Sequence, residues 1–167
     1  MAERKSVELL GSHDAGLRLS GAGAKASVAV DAAVMGKTTA SLRAAASAAA
    51  ATAAPDRIFL NLENVTGNDD ATAFDVYVNL PEGGDPAKYP DHLAGSIALF
   101  GVGAATSADG PGHGLTFVLE ITHVVDALHL AGTLNANPLQ VQLVPVRPVP
   151  DDAQIKVGRI SVFRQGQ

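Results

Sequence analysis

Five histidines, His13, His92, His113, His123 and His129, are the first side chains to test for chemistry. A copper or zinc site needs several imidazoles converging, often at i, i+4 on a helix or i, i+2 on a strand. Here the closest pair, His123 and His129, is six residues apart, which turns the two rings to opposite sides of a helix. The histidines therefore read as isolated surface or partner-contacting residues, with no metal site in this chain. With no cysteine, disulfides, thiolate catalysis and zinc–thiolate sites are excluded. A Ser-His-Asp hydrolase lacks its G-x-S-x-G elbow, and Ser96 in "AGSI" falls within an expected strand. The glycine-rich "GSHDAGLRLSGAGAK" has neither a strand-to-helix order nor a G-K-[ST], so it is a weak phosphate cradle. Asp69–Asp70 and Asp151–Asp152 lie among turn formers and read as solvated turn residues. No catalytic set is legible.

The bulk properties narrow the classes further. The 167 residues fit one domain, and 47% hydrophobic with 17% charged residues indicates a buried core. A net charge of −5 argues against a nucleic-acid surface. No apolar run reaches the length of a membrane span. The start "MAERKSVELLGS" lacks the apolar stretch of a secretory signal, so a cytoplasmic location is expected. Trp is absent and aromatics are 4%, few for a sugar- or base-stacking surface.

The elements that would position any site are mostly strands. In "RIFLNLENV" Ile58, Leu60 and Leu62 share a face, in "AFDVYVNL" Phe74, Val76, Val78 and Leu80 do, and in "GLTFVLEI" Leu115, Phe117, Leu119 and Ile121 do. Period-2 alternation buries one face of an antiparallel sheet and leaves Asp75, Tyr77 and Asn79 on the wetter side. "HLAGSIALFG", "LQVQLVPV" and "AQIKVGRISVFRQ" add strands, the last slipping phase at Gly158–Arg159 as at a β-bulge. "THVVDALHLAG" reads as a short helix, with Thr122 as N-cap, Val124, Val125, Leu128 and Ala131 as its stripe and Gly132 as its stop. The fold expected is mainly β: an antiparallel, jelly-roll-like β-sandwich of about seven or more strands with one short capping helix. Residues 1–31 read as strands joining that sandwich, 32–56 as an Ala-rich tether, partly helical or mobile, and 57–167 as the sandwich proper.

Residues 56–164 resemble the C-terminal domain of tyrosinases and polyphenol oxidases. The resemblance rests on "FLNLENVTGNDDATAFDVYVNLP", "HLAGSIALFG", "LTFVLEITHVVDAL", "LQVQLVPV" and "IKVGRISVF" in that order. Phe74, Asp75 and Val76 match three positions of the Lys-Phe-Asp-Val motif of the plant enzymes, with Ala73 in place of Lys. Ala94, Gly95 and Ser96 and the Glu120, Ile121, Thr122 triplet also look like the family, and recur in the β-sandwich of molluscan haemocyanin units.

The resemblance implies a domain that covers the type-3 copper site of a separate catalytic domain of the same precursor and keeps that oxidase latent. The two copper ions and the oxidation of phenols would belong to that partner; none of its helical bundle is in this chain. A side chain inserted in place of substrate is implied as well. Candidates in or beside the long loop after residue 80 are Tyr89, His92 and Leu93, with Phe100 further along and His113 on a second loop. Such a lid should carry an apolar patch of a few hundred Å² where the core docks. The zero Cys count removes the copper-loading motif of fungal relatives. Two further readings stay open: a stand-alone β-sandwich interaction or structural module, and a cupin-like small-molecule or metal binder.

Overall fold

The computed structural model describes residues 5–47, 54–107, 113–134 and 138–166. Nine strands are the main regular elements among them: β1 (Val7–His13), β2 (Leu17–Leu19), β3 (Ala24–Val30), β4 (Arg57–Thr66), β5 (Ala73–Val78), β6 (Leu93–Ala98), β7 (Leu115–Glu120), β8 (Leu139–Pro145) and β9 (Ile155–Gln165). They form one antiparallel sheet in the order β6-β5-β8-β3-β1-β9-β4-β7, with β2 beside β9. The expected antiparallel β architecture is present, with the two layers continuous through the β1–β3 pair. The sheet curls until its edges approach: a Cβ on Gly95 of β6 would lie 3.2 Å from Leu119 Cδ2 of β7.

The corner between the layers depends on Gly11. It pairs with Val30, and a Cβ there would sit 2.2 Å from the Ala29 carbonyl oxygen. Only a residue without a side chain lets β1 and β3 approach so closely. Inside the curl, Leu10, Ile58, Leu60, Leu62, Phe74 and Val76 are fully buried.

The phase slip expected at Gly158–Arg159 is shared by two strands. Leu62 pairs with Ile160 and Val65 with Val157, so β4 and β9 keep register while both change face. Asn64, at φ 54°, sits opposite Gly158 and makes the change on β4. The register shift therefore falls between β4 and β7, not between β4 and β9.

Three α-helices accompany the strands among the described residues: α1 (Ala32–Ala46), α2 (Val102–Thr106) and α3 (Thr122–Leu130). Of the stretch 32–56 read as a tether, residues 32–46 are the helix α1 and residues 48–53 lie outside the described ones. Asp31 caps α1, its Oδ1 accepting from the backbone N–H of Ala33 and Val34 at 2.9 and 3.0 Å. A short stripe seats it: Leu42 is in the core, beside buried Thr38 and half-buried Val34 and Met35. α3 buries Val124, Val125 and Leu128 as expected and ends at Gly132, but Ala131 is exposed. Thr122 is not its N-cap. Ile121 holds that position, and Thr122 Oγ1 accepts from Ile58 N–H at 3.0 Å, tying the helix to β4.

Candidate functional site

The residues singled out for chemistry or contact fall at opposite ends of the curled sheet. The β5–β6 hairpin sets the geometry. Its long loop opens after Val78 and returns at Leu93, whereas Ala73 pairs with Ala98 at the other end. Six strand residues separate those ends by roughly 20 Å.

At the loop end, Tyr89 and His92 stack edge to face with centroids 5.5 Å apart. His92 Nδ1 donates to the Val78 carbonyl at 2.9 Å, and a Cβ on Gly84 would lie 2.9 Å from Tyr89 Cε2. Two short 3-10 turns, Pro86–Lys88 and Pro90–His92, shape the loop, with Asp85 Oδ1 accepting from Ala87 N–H. Tyr89, His92 and Leu93 are half-buried, so the loop holds these rings inward. Tyr77 faces away from the core of the curl yet is buried, near enough to this loop to feel the charge of Asp85. Burial, aided by the charges of Asp75 and Asp85, pushes its phenol above the ordinary tyrosine range.

At the other end stand Phe100 and His113. Leu99, Phe100, Gly101 and Val102 form a tight turn closed by Val102 N–H donating to the Leu99 carbonyl at 2.9 Å. Gly101 has φ 85° and ψ 2°, the conformation a type II turn requires of its third residue. Leu99 and Val102 are fully buried, and Phe100 between them is 85% exposed. The sequence placed Phe100 along a strand; the strand ends at Ala98 and the turn lifts the ring out. Gly101 directly after the ring was the available signal. Val146, 54% exposed, lies at this end too, its N–H donating to the Ala73 carbonyl at 2.9 Å. His113 is exposed beside α2, where Gly114 N–H donates to the Ala105 carbonyl.

The family-like triplets are structural pairs. Ser96 Oγ donates to Asp75 Oδ1 at 2.5 Å across β5 and β6, and Gly95 stands where that pair shifts register. Glu120 takes a two-pronged bond from Arg57, at 3.1 and 2.7 Å, and accepts from Thr122 at 3.2 Å. The Arg57 bond holds the Glu120 carboxyl below the ordinary range. Phe74, Val76, Ala94 and Ile121 are buried in the core.

Among the described residues, no three His, Asp or Glu side chains gather where they could hold a metal ion. His13 Nδ1 donates to the Ser27 carbonyl at 3.1 Å, and His123 and His129 ride separately on α3. A cleft of about 530 Å³ runs between α1 and α3, lined by Leu42, Ala45 and Leu130 with Glu120, His123 and Asp126 at its margin. No described helix is long and apolar enough to cross a membrane.

The chain belongs to the family described as a domain of unknown function (DUF7868), whose model matches residues 6–165. It is also similar to the tyrosinase HcTyr1 of Hahella sp. (strain CCB-MM4), 27% identical over 111 residues. That match covers 65% of this chain and 23% of the tyrosinase, so the chain spans about a quarter of the length of that relative. Among solved structures, latent aurone synthase, a polyphenol oxidase, matches with 17% identity and a TM-score of 0.48 over 66% of this chain and 21% of its own. Latent apple tyrosinase matches with 25% identity and a TM-score of 0.39 over 65% and 21%. The resemblance to the tyrosinase and polyphenol oxidase family that the residues carry is thus met by a sequence relative.

Proposed function

We propose that this chain is the C-terminal shielding domain of a type-3 copper oxidase, lying over the dicopper site of a catalytic domain in the same precursor and keeping it latent. The chain takes no chemical step; o-diphenol oxidation belongs to the partner's two coppers. The observation that carries the reading is Phe100. Its benzyl group stands 85% exposed between two fully buried neighbours, with Val146, 54% exposed, at the same end of the sheet, so the two offer an apolar projection that a covering partner would bury. Its turn is fixed by a backbone hydrogen bond and by Gly101, so the ring is presented on a rigid support. An apolar ring of a phenol's size suits a cleft that accepts phenols. The Hahella tyrosinase supports a larger parent, because the match occupies 23% of that protein.

Tyr89 fits the obstructing role less well, since its ring is packed on Gly84 and against His92. His113 shares the Phe100 end and belongs to the same rim in this reading. The test uses the longer polypeptide that joins this chain to its dicopper domain. Its o-diphenol oxidation is measured before and after cleavage of the link, for wild type and for Phe100→Ala. The expected result is low activity in the uncleaved wild type and at least tenfold higher activity in uncleaved Phe100→Ala. Equal, full activity in both forms before cleavage would end the shielding reading.

A further inference from the structure

A second apolar surface lies on the outer face of the sheet, away from Phe100. Leu9, Phe163 and Phe59 stand in direct register across β1, β9 and β4. Val7 and Val118 flank them, with Asn61 and Gln165 completing a shallow depression of about 310 Å³. Val7 is 62%, Val118 59% and Leu9 43% exposed, all on strands, where polar outward residues are the norm for a solvated face. Charge is confined to the margin. The Arg57–Glu120 pair bounds one side, with the Arg57 guanidinium 5.0 Å from the Phe59 ring centroid. Arg159, bridging Asp14 and Glu63, bounds another. Aromatic centre, aliphatic flanks and a charged rim are the anatomy of a protein interface.

We infer that this face is the standing dock for the catalytic domain, distinct from the obstructing turn at Phe100; the inference rests on the shielding reading above. Area selects the occupant. The apolar side chains offer on the order of 300 Å², the size of the largest patch on an ordinary monomer, which is often a functional one. A stable dimer of free chains needs about 800 Å² from each partner. A partner on the same polypeptide needs much less, because a tether supplies an effective concentration in the millimolar range. The 23% share of the Hahella tyrosinase matched by this chain means that such a domain has covalent company in that relative. The surface that seats here must be uncharged at its centre, aliphatic or aromatic, and polar where it meets Arg57 and Glu120. Docking is thereby separated from obstruction: this face sets how tightly the domain is held, Phe100 whether the site is blocked.

The experiment cuts the link in the longer polypeptide and follows co-elution of the two parts by gel filtration, with their Kd from titration. Val118→Glu and Phe163→Ala are compared with wild type and with Phe100→Ala. The cut wild type and Phe100→Ala are expected to co-elute. Val118→Glu and Phe163→Ala are expected to separate, with Kd loosened about tenfold or more and the domain's Tm unchanged for Val118→Glu. Wild-type affinity in both face variants, while the wild-type domain still shields, overturns this inference and leaves the shielding reading standing. Failure of the wild-type parts to bind at all takes both down. Sedimentation of this chain alone, showing a dimer that Val118→Glu abolishes, would also overturn it by giving the face to a second copy.

Discussion

Ser96 and Asp75 are direct cross-strand partners, the hydroxyl of one donating to the carboxylate of the other at 2.5 Å. The two residues belong to separate family-like triplets 20 positions apart in the chain, and the fold makes them one hydrogen bond. The bond joins β6, an edge strand, to β5. Ser96→Ala is expected to lower unfolding stability by about 1 kcal/mol, at the modest end because Ser96 is exposed. Urea denaturation measures it. An unchanged midpoint would show that backbone pairing alone holds the edge.

Gly11→Ala should cost more. The added methyl meets the Ala29 carbonyl, a backbone atom of a paired strand that cannot swing aside. Overpacking of this kind costs about 3 kcal/mol. The expected sign is a large drop in Tm with the outer face intact, whereas Gly21→Ala, which meets nothing within 4 Å, should be nearly neutral.

The strands were legible because alternation is local: Ile58, Leu60 and Leu62 announce the inward face of β4 without help from any other segment. What was not legible came from distant cover. Tyr77 reads as solvent-facing by parity on β5, yet it is buried, within reach of the charge of Asp85 from the loop after Val78. α1 was hidden for another reason: its packed stripe is only Val34, Met35, Thr38 and Leu42 amid alanines, a faint amphipathic pattern with one large fully buried side chain. Thr122 had the chemistry of a cap, but its hydroxyl is taken by Ile58 N–H from a strand 64 positions earlier. The turn at Phe100 needed only Leu99, Gly101 and Val102 to be read as buried, left-handed and buried in sequence, which periodicity does not reveal.

Acid should weaken the fold through its ion pairs. The Lys37 ammonium, and then Arg164, holds the Glu8 carboxyl below the ordinary range; Arg159 does so for Asp14 and Arg57 for Glu120. A carboxylate whose folded-state pKa is depressed contributes stability above its ordinary pKa and loses it as pH falls through the folded value. Tm is therefore expected to be flat from neutrality down to the ordinary carboxylate range and to fall below it. Glu8→Gln should flatten part of that fall. Calorimetry between pH 7 and pH 3 checks both, and a Tm that rises on acidification would contradict the sign.

Leu42→Ala tests whether α1 is a structural part of the domain. Leu42 is the large fully buried side chain by which the helix enters the core; half-buried Val34 and Met35, the ion pair of Lys37 with Glu8 and the bond from Asp56 N–H to Ser41 Oγ also tie it down. Truncating a buried leucine costs about 2–5 kcal/mol, toward the lower end where the site can collapse, as a surface helix can. Asp31→Ala removes the cap and is expected to cost about 1 kcal/mol. Leu130→Ala, at a side chain 72% exposed on α3, should stay within about 0.5 kcal/mol. Hydrogen exchange gives the deciding readout: in Leu42→Ala the amides of residues 36–46 should lose protection while those of β4 and β9 keep theirs. Global loss of protection would mean instead that α1 and the sheet unfold as one cooperative unit.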